Sequence, residues 1–421
     1  MAVLILQPMK ILVLNSGSST QKSSLYELEE VPPENPPAPI WQGKIEWNGD
    51  QAEITARSER GATLQERAAI PFRKQAIVQL LESLWSGAAR VISSPAKIDI
   101  VGHRVVHGGS QYEQPTIITP EVETVIERLS AFAPLHNRAE LEAIHIVEEK
   151  IGVVPQVAVF DTGFHYRMPQ SAAVYGGPYE WFMRGIRRYG FHGINHQYCA
   201  ERTAQLLGRE LNSLKIVTCH LGSGCSLAAI RDGHSVDTTM GFTPIEGLMM
   251  GTRSGSVDPG ILTYLLRHGE YSPQQLDDVL NTKSGLLGIS GLSSDMRAIQ
   301  AAMKQGHSRA KLAFDIFVHR LRWNIGAMVA VLGGIDALVF TAGIGENSPD
   351  VREAACAEFN YLGIELDAEK NAQLASDQDI SARNSAVRVL VVCAQEDWAI
   401  ARECWKLARA KNSTAANSSS T

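Results

Sequence analysis

ILVLNSGSSTQKSSLYEL, residues 11–28, has an echo later in the chain, IVTCHLGSGCSLAAIRDG, which begins at Ile216. In each copy a short apolar run ends in one polar residue, Asn15 in the first and His220 in the second. A Gly/Ser turn follows, and then a second run with strand character. Short apolar runs bounded by turn residues read as buried strands. The copies lie about 205 residues apart, too far for a solenoid repeat. The spacing fits two duplicated domains that each open with a strand, a turn and a strand. Chance likeness between two Gly/Ser hairpins is the alternative.

The 421 residues leave room for two to three domains at roughly 150 residues each. With 44% hydrophobic and 20% charged residues, the chain can bury a full core without staples. It carries 39 Lys+Arg against 45 Asp+Glu, a net charge of -6 and a pI of about 6.1. That balance argues against a nucleic-acid partner held on a basic surface, so an anionic substrate needs locally placed arginines. The six cysteines form no CxxC pair and read as reduced thiols of a cytoplasmic protein. No apolar run approaches the ~20 residues that span a bilayer, so no membrane partner is expected. The opening MAVLILQPMKILVLN resembles a signal segment, but Pro8 and Lys10 interrupt it, and Met9 is an alternative start.

Proline-rich 31–39 reads as a surface loop, since proline cannot serve a central strand. Residues 73–90 and 121–150 have helical spacing, and 98–106 and 153–160 read as strands. The Ser/Asn/Thr/Ala tail, 413–421, reads as disordered.

Three turns suit phosphate: 15–19, 220–226 and 341–348. Glycine lets backbone N–H groups approach an anion, and hydroxyls add donors. None is GxxxxGK[ST] or GxGxxG. The third is the best case: the apolar run at 337–340 enters TAGIGEN, and Ser348 with Pro349 then reads as the cap and first position of a helix. A helix N-terminus there would attract an anion, and a plain strand-to-helix loop is the alternative.

In DIVGHRVVHGG, 99–109, period-two alternation puts Arg104 and Val106 on one face and His103, Val105 and His107 on the other. A guanidinium fork beside a small apolar side chain suits a short carboxylic acid. A surface ion pair and an ordinary core valine are the bland readings. His103 with His107, and His192 with His196, stand four apart like metal ligands, yet without HExxH or a cysteine partner they read as structural. Asp161 ends a strand before a glycine turn, a common site position, with an Asx turn or helix cap as the alternative. Glycine-dense 240–260, which carries Arg253, reads as an ordered loop lining something.

Together, VLNSGSSTQK, GHRVVHGG, PLHN, FDTGFH, RRYGFHG, CHLGSGCSLAAI, MGFTPIEGLMMGTRSG, GLSSDMR, FTAGIGENS and QEDWAIAR occur in order from Asn15 to about Arg402. This set resembles the acetokinase family of the sugar-kinase/actin/heat-shock-70 superfamily. The resemblance implies an α/β fold of two duplicated actin-like (ribonuclease-H-like) domains, each a mixed sheet flanked by helices, with an interdomain cleft. The first would hold 1–161 plus a returning C-terminal helix and tail, 396–421, and the nucleotide domain 162–395. It implies reversible phosphoryl transfer from ATP to acetate, giving acetyl phosphate and ADP, with Mg²⁺ (or Mn²⁺) as cofactor and a homodimer as the assembly.

Carried over residue by residue, the resemblance puts the metal on Asn15 and Glu396 and the acyl-substrate arginine on Arg104. It puts the pocket walls on Val106, Leu135, Phe191 and Pro244, and the active-site acid on Asp161. His192 and Arg253 take the transition-state positions. The ATP contacts fall on Lys22, on His220, Leu221, Gly222, Ser223 and Gly224, on Asp295, Met296 and Arg297, and on Gly343, Ile344, Gly345, Glu346 and Asn347. Ser223 stands where the family has Asn and Ser256 where it has an acid, and QED replaces NEE around Glu396. Acetate is ionised at pH 7, with a pKa near the roughly 4.3 of Glu, and needs no general base. Asp161 is therefore expected to orient Arg253 or metal-bound water; a phosphoenzyme is the rival. The alternatives are a propionate or butyrate kinase and, from another class, a non-catalytic nucleotide-switched actin-like binding protein.

Overall fold

The computed structural model describes residues 8–17, 20–48, 51–69, 73–130, 137–373 and 377–418. The chain forms two compact units, one of Met1–Gly163 with Gln395–Thr421, the other of Phe164–Ala394.

Unit 1 is built on strands β1 (Met9–Ser16), β2 (Thr20–Leu28), β3 (Trp41–Asn48), β4 (Gln51–Ser58), β5 (Thr63–Ala69), β6 (Ile100–Val105), β7 (Thr116–Ile117) and β8 (Gln156–Phe160). Among the described residues they form one sheet in the order β5-β4-β3-β2-β1-β6-β8-β7. The first five strands run antiparallel to their neighbours, and β6 and β8 then join parallel to β1. Ile11, Leu12, Val13 and Leu14 are all buried. A strand covered on both faces reads as a continuous apolar run, which is why β1 was visible in the sequence.

Unit 2 repeats the plan with β9 (Lys215–Leu221), β10 (Cys225–Arg231), β11 (His234–Thr238), β12 (Ala337–Thr341), β13 (Gln378–Asp379) and β14 (Arg388–Val391). Their order is β11-β10-β9-β12-β14-β13. The hairpin β9–β10 stands where β1–β2 stands in unit 1, and β12 and β14 follow parallel to β9 as β6 and β8 follow β1. The echo between 11–28 and 216–233 is therefore a duplicated fold.

The helix Glu396–Ser418 packs on β1 and β6 through buried Ile400, Ala401 and Cys404. Gly102 makes room for it: a Cβ there would lie 2.6 Å from both Cys404 Sγ and Ile400 Cγ2. In unit 2 the helix Ser308–Leu332 covers β9 and β10 with Phe317, Leu321 and Ile325 and ends at Gly333, whose φ of 64° serves a left-handed cap.

Several local readings change. Residues 73–90 are helical only over Arg73–Glu82, and 121–150 holds two helices, Pro120–Leu129 and Asn137–Lys150. The glycine stretch after β12 is not an open turn but a short helix, Ala342–Asn347. Ser348 gives the next helix, Pro349–Cys356, no side-chain cap, and its Oγ instead accepts from Gln300 Nε2 at 3.0 Å. The tail read as disordered is helical through Ser418. Ala408, Ala410 and Lys411 lead into it and Ala415 and Ala416 continue it, residues whose intrinsic helix propensity outweighs the Ser/Asn/Thr content. No helix among the described residues is long and apolar enough to cross a membrane.

Candidate active site

In unit 1 the parallel strands β1, β6 and β8 end side by side, the position where open α/β sheets place ligands. Asn15 lies near the end of β1, Arg104 near that of β6, and Asp161 follows β8; the register pairs Leu14 with His103 and Arg104 with Val159. Arg104 Nε and Nη2 donate to Asp161 Oδ2 at 3.0 and 2.5 Å, and Nη1 donates to Asn15 Oδ1 at 3.4 Å. The Asp161 side chain is fully buried, and the Arg104 side chain is 14% exposed. Arg104 is thus half-buried and paired with a buried carboxylate rather than a surface one, and against the cost of burial its pKa is raised by the charges of Asp161 and Glu396. Asp161 thus takes Arg104 as a partner. Val106 is the first residue beyond β6 and is buried.

Asn15 Nδ2 donates to Glu396 Oε2 at 3.0 Å and to Asp397 Oδ1 at 3.1 Å, and Ser24 Oγ donates to Asp397 Oδ2 at 2.7 Å. Burial, together with the charge of Glu396, holds the Asp397 carboxyl above its usual range despite those bonds and Lys22. Two crowded carboxylates of this kind, with an amide beside them, suit a hard divalent cation that keeps most of its waters. Asp397, directly beside Glu396 in the sequence, is part of this set. Lys22 stands opposite Asn15 across β1–β2.

In unit 2 three loops meet at the ends of β9 and β12. A Cβ on Gly224 would lie 3.4 Å from both Nη atoms of Arg253 and from His192 Cε1, so the 222–224 turn lies bare against both side chains. Gly251 N donates to Ser223 O at 3.2 Å, and Arg253 Nη1 donates to Pro244 O at 2.8 Å. The rings of His192 and His220 stack at 4.0 Å. His192 sits at a φ of 56°, unusual for a side chain with a Cβ, with its Nδ1 held 2.8 Å from Ser226 Oγ. Asn195 Nδ2 reaches His220 Nδ1 at 2.9 Å and Thr341 Oγ1 at 3.3 Å, tying the ends of the two neighbouring strands. Leu221 and Phe191 are buried, and the Phe191 carbonyl lies 3.1 Å from His165 Nε2.

The stretch with Gly343, Ile344, Gly345, Glu346 and Asn347 is fixed from below by buried Arg352, which donates through Nη1 to Gly345 O and Glu346 O, both at 2.8 Å. Glu346 Oε1 accepts from Ala394 N at 2.8 Å. Asp295 caps the helix Met296–Lys304 and pairs with exposed Arg297 two residues on; Met296 is buried. Ser256 Oγ accepts from Gly247 N at 3.0 Å, so the hydroxyl that replaces the family's acid supports the Arg253 loop. Leu135 lies outside the described residues.

The paired histidines have structural partners. His103 Nε2 lies 2.7 Å from Gln156 Oε1, and His107 Nδ1 accepts from Gly109 N at 3.0 Å. Burial lowers both to about 4. His196 is wedged between Thr218 Oγ1 and Ser226 Oγ, each at 2.7 Å. Sequence reading missed Asp397, Ser24, Asn195, Ser226 and Glu140, whose carboxyl accepts the Val106 N–H. The one available signal was an acid directly beside Glu396.

Residues 10–402 match the acetokinase family. The chain is similar to an acetate kinase of a Cyanothece strain, 58% identical over 401 residues that cover 95% of this chain and 98% of that one. An acetate kinase of Nostoc punctiforme is 56% identical over 95% of this chain and 99% of its own. Among solved structures, Porphyromonas gingivalis acetate kinase superposes with a TM-score of 0.86 at 38% identity, covering 94% of this chain and 99% of that one. A propionate kinase from Francisella tularensis gives 0.84 at 36% identity, covering 94% and 98%. Matched over nearly its whole described length, the chain belongs to the acetokinase family.

Proposed function

We propose that this protein catalyses reversible phosphoryl transfer between ATP and acetate. A carboxylate oxygen of acetate attacks the γ-phosphorus, the bond from that phosphorus to the β-γ bridging oxygen breaks, and acetyl phosphate and ADP result. The observation that carries the reading is Arg104, locked by Asp161 at the strand ends with Val106 two residues on. A binding module has no use for a half-buried guanidinium beside a small apolar side chain, and Arg253 against the bare Gly224 turn gives a second such group.

Arg104 binds the substrate carboxylate and Val106 meets its methyl group, with Leu135, Phe191 and Pro244 as further walls. The turns at His220, Leu221, Gly222, Ser223 and Gly224 and at Gly343, Ile344, Gly345, Glu346 and Asn347 hold the nucleotide, assisted by Lys22 and by Asp295, Met296 and Arg297. Arg253 and His192 stabilise the charge on the transferring group, since such transfer depends on positioning and charge neutralisation more than on covalent help. Glu396 and Asp397 would hold Mg²⁺, oriented by Asn15; when bound, the ion neutralises phosphate charge. No base is needed. Asp161, buried and occupied by Arg104, orients that arginine and is a poor nucleophile, which favours direct transfer over a phosphoenzyme.

A homodimer is supported by the helix Pro259–Arg267, which has no buried residue and exposes Ile261, Tyr264 and Leu266. Sedimentation at several concentrations measures it.

The test of the activity is a coupled assay with ATP, Mg²⁺ and straight-chain C1–C4 acids. Acetate is expected to give the highest kcat/KM; no acid-dependent ADP formation would overturn the reading. The Francisella relative keeps propionate in view as a second substrate. Val106→Ala is expected to raise kcat/KM for propionate relative to acetate by no more than the ~1–3 kcal/mol that a methylene is worth. An unchanged ratio would remove Val106 from the pocket.

A further inference from the structure

Glu140 sits on the helix Asn137–Lys150 among buried Ala143, Ile144 and Val147, and is itself only 1% exposed. A carboxyl group at such a position is costly unless something holds it. Its two oxygens each lie 3.1 Å from the Val106 N–H. Val106 is the residue at which β6 ends. The preceding carbonyl, of Val105, accepts from Asp161 N at 2.9 Å, and beyond it the Val106 N–H leaves the ladder and needs another acceptor. Glu140 supplies that acceptor, so the backbone of the pocket valine is placed by a side chain 34 residues further along the chain.

We propose that Glu140 is a positioning residue of the acyl pocket: by gripping the Val106 N–H it sets where the valine wall stands, and its charge state sets how readily the pocket accepts a carboxylate. The proposal rests on the reading of Arg104 and Val106 as the acyl site. The charged groups that face Glu140 are Arg104 from β6, Asp161 after β8 and Arg73 from the head of the helix Arg73–Glu82. Arg104 is already committed to Asp161 through two N–H groups, so Glu140 is a second carboxyl beside one paired arginine. Burial, with the charge of Asp161, pushes its pKa up to about 8 against Arg104, the Val106 N–H and Arg73. That upward shift favours the neutral acid near neutral pH, a form that accepts the N–H without adding charge beside an anionic substrate. As pH rises past about 8 it ionises, and the new charge opposes the substrate.

The experiment is steady-state kinetics of the full-length protein, Glu140→Gln and Glu140→Ala, with acetate, propionate and ATP varied across neutral to alkaline pH and melting temperature recorded. In the parent, acetate KM is expected to rise above about pH 8 while ATP KM does not follow. Glu140→Gln keeps a carbonyl acceptor and cannot ionise. It should keep the parent propionate-to-acetate ratio within about twofold and flatten the alkaline rise. Glu140→Ala leaves a buried N–H without its acceptor. It should raise acetate KM about tenfold and shift that ratio severalfold, with ATP KM within about twofold. A folded Glu140→Ala with the parent KM and ratio, or one in which both substrates' KM rise together, overturns the proposal, as does a Glu140→Gln that retains the alkaline rise. If the alanine variant does not fold, the glutamine profile alone decides. Failure of the acetate-kinase reading looks different, because the parent itself would then form no ADP in response to acetate.

Discussion

Arg104→Ala is expected to lower kcat/KM for acetate by about 10²–10³-fold while ATP affinity stays within about twofold. Arg104 reaches Asp161 and Asn15 in unit 1, whereas the turns assigned to the nucleotide lie largely in unit 2. The loss should fall on the substrate carboxylate. The substitution also strips the counter-charge from an aspartate with no exposed side-chain surface. Breaking one side of such a buried pair typically costs about 3–5 kcal/mol of stability, so melting temperature must be followed in parallel. Arg104→Lys separates the two effects. Lysine restores a positive charge for Asp161 but not the planar fork that takes a carboxylate with two parallel N–H groups. It should recover most of the melting temperature and little of the acetate turnover. ATP affinity falling in step with activity in both variants would move Arg104 out of the acyl site.

The second large effect is expected for Glu396→Gln. The amide keeps the shape and the acceptor for Asn15 but removes one of two adjacent negative charges. Changes even one shell further from a metal cost about 10–100-fold in affinity, so the Mg²⁺ concentration for half-maximal rate should rise by at least that much. kcat should fall, and acetate KM should change much less. Relief of the crowding between Glu396 and Asp397 should leave the melting temperature level or raise it. The competing view is that Glu396, the first residue of its helix, only helps the helix start, a role worth about 0.5–2 kcal/mol. A destabilised variant with the parent Mg²⁺ curve would establish that view instead.

Much of this protein was legible in its amino-acid order. Strands β1 and β9 announced themselves because a strand buried on both faces must be apolar throughout, and the turns after them because only small residues fit such bends. Arg104 and Asp161 were legible as polar residues at or just past the ends of apolar runs. Composition misled where a local tendency had a competitor: the glycines of 342–347 form a helical turn over the Arg352 guanidinium, and alanines carry a helix into a polar tail. What the order of residues could not show is which distant groups face one another. Asp161 meets Arg104 because β6 and β8 are neighbours in register, and Asn15 meets Glu396 and Asp397 because Gly102 lets a helix settle on the sheet. Glu140 looks like any helical glutamate until burial and the end of β6 leave it holding the Val106 N–H. Local periodicity encodes the elements, since each residue's burial repeats with the geometry of its own strand or helix. Charge pairing, acceptors and raised pKa values depend on packing between segments as much as 382 residues apart, and only the tertiary structure sets that packing.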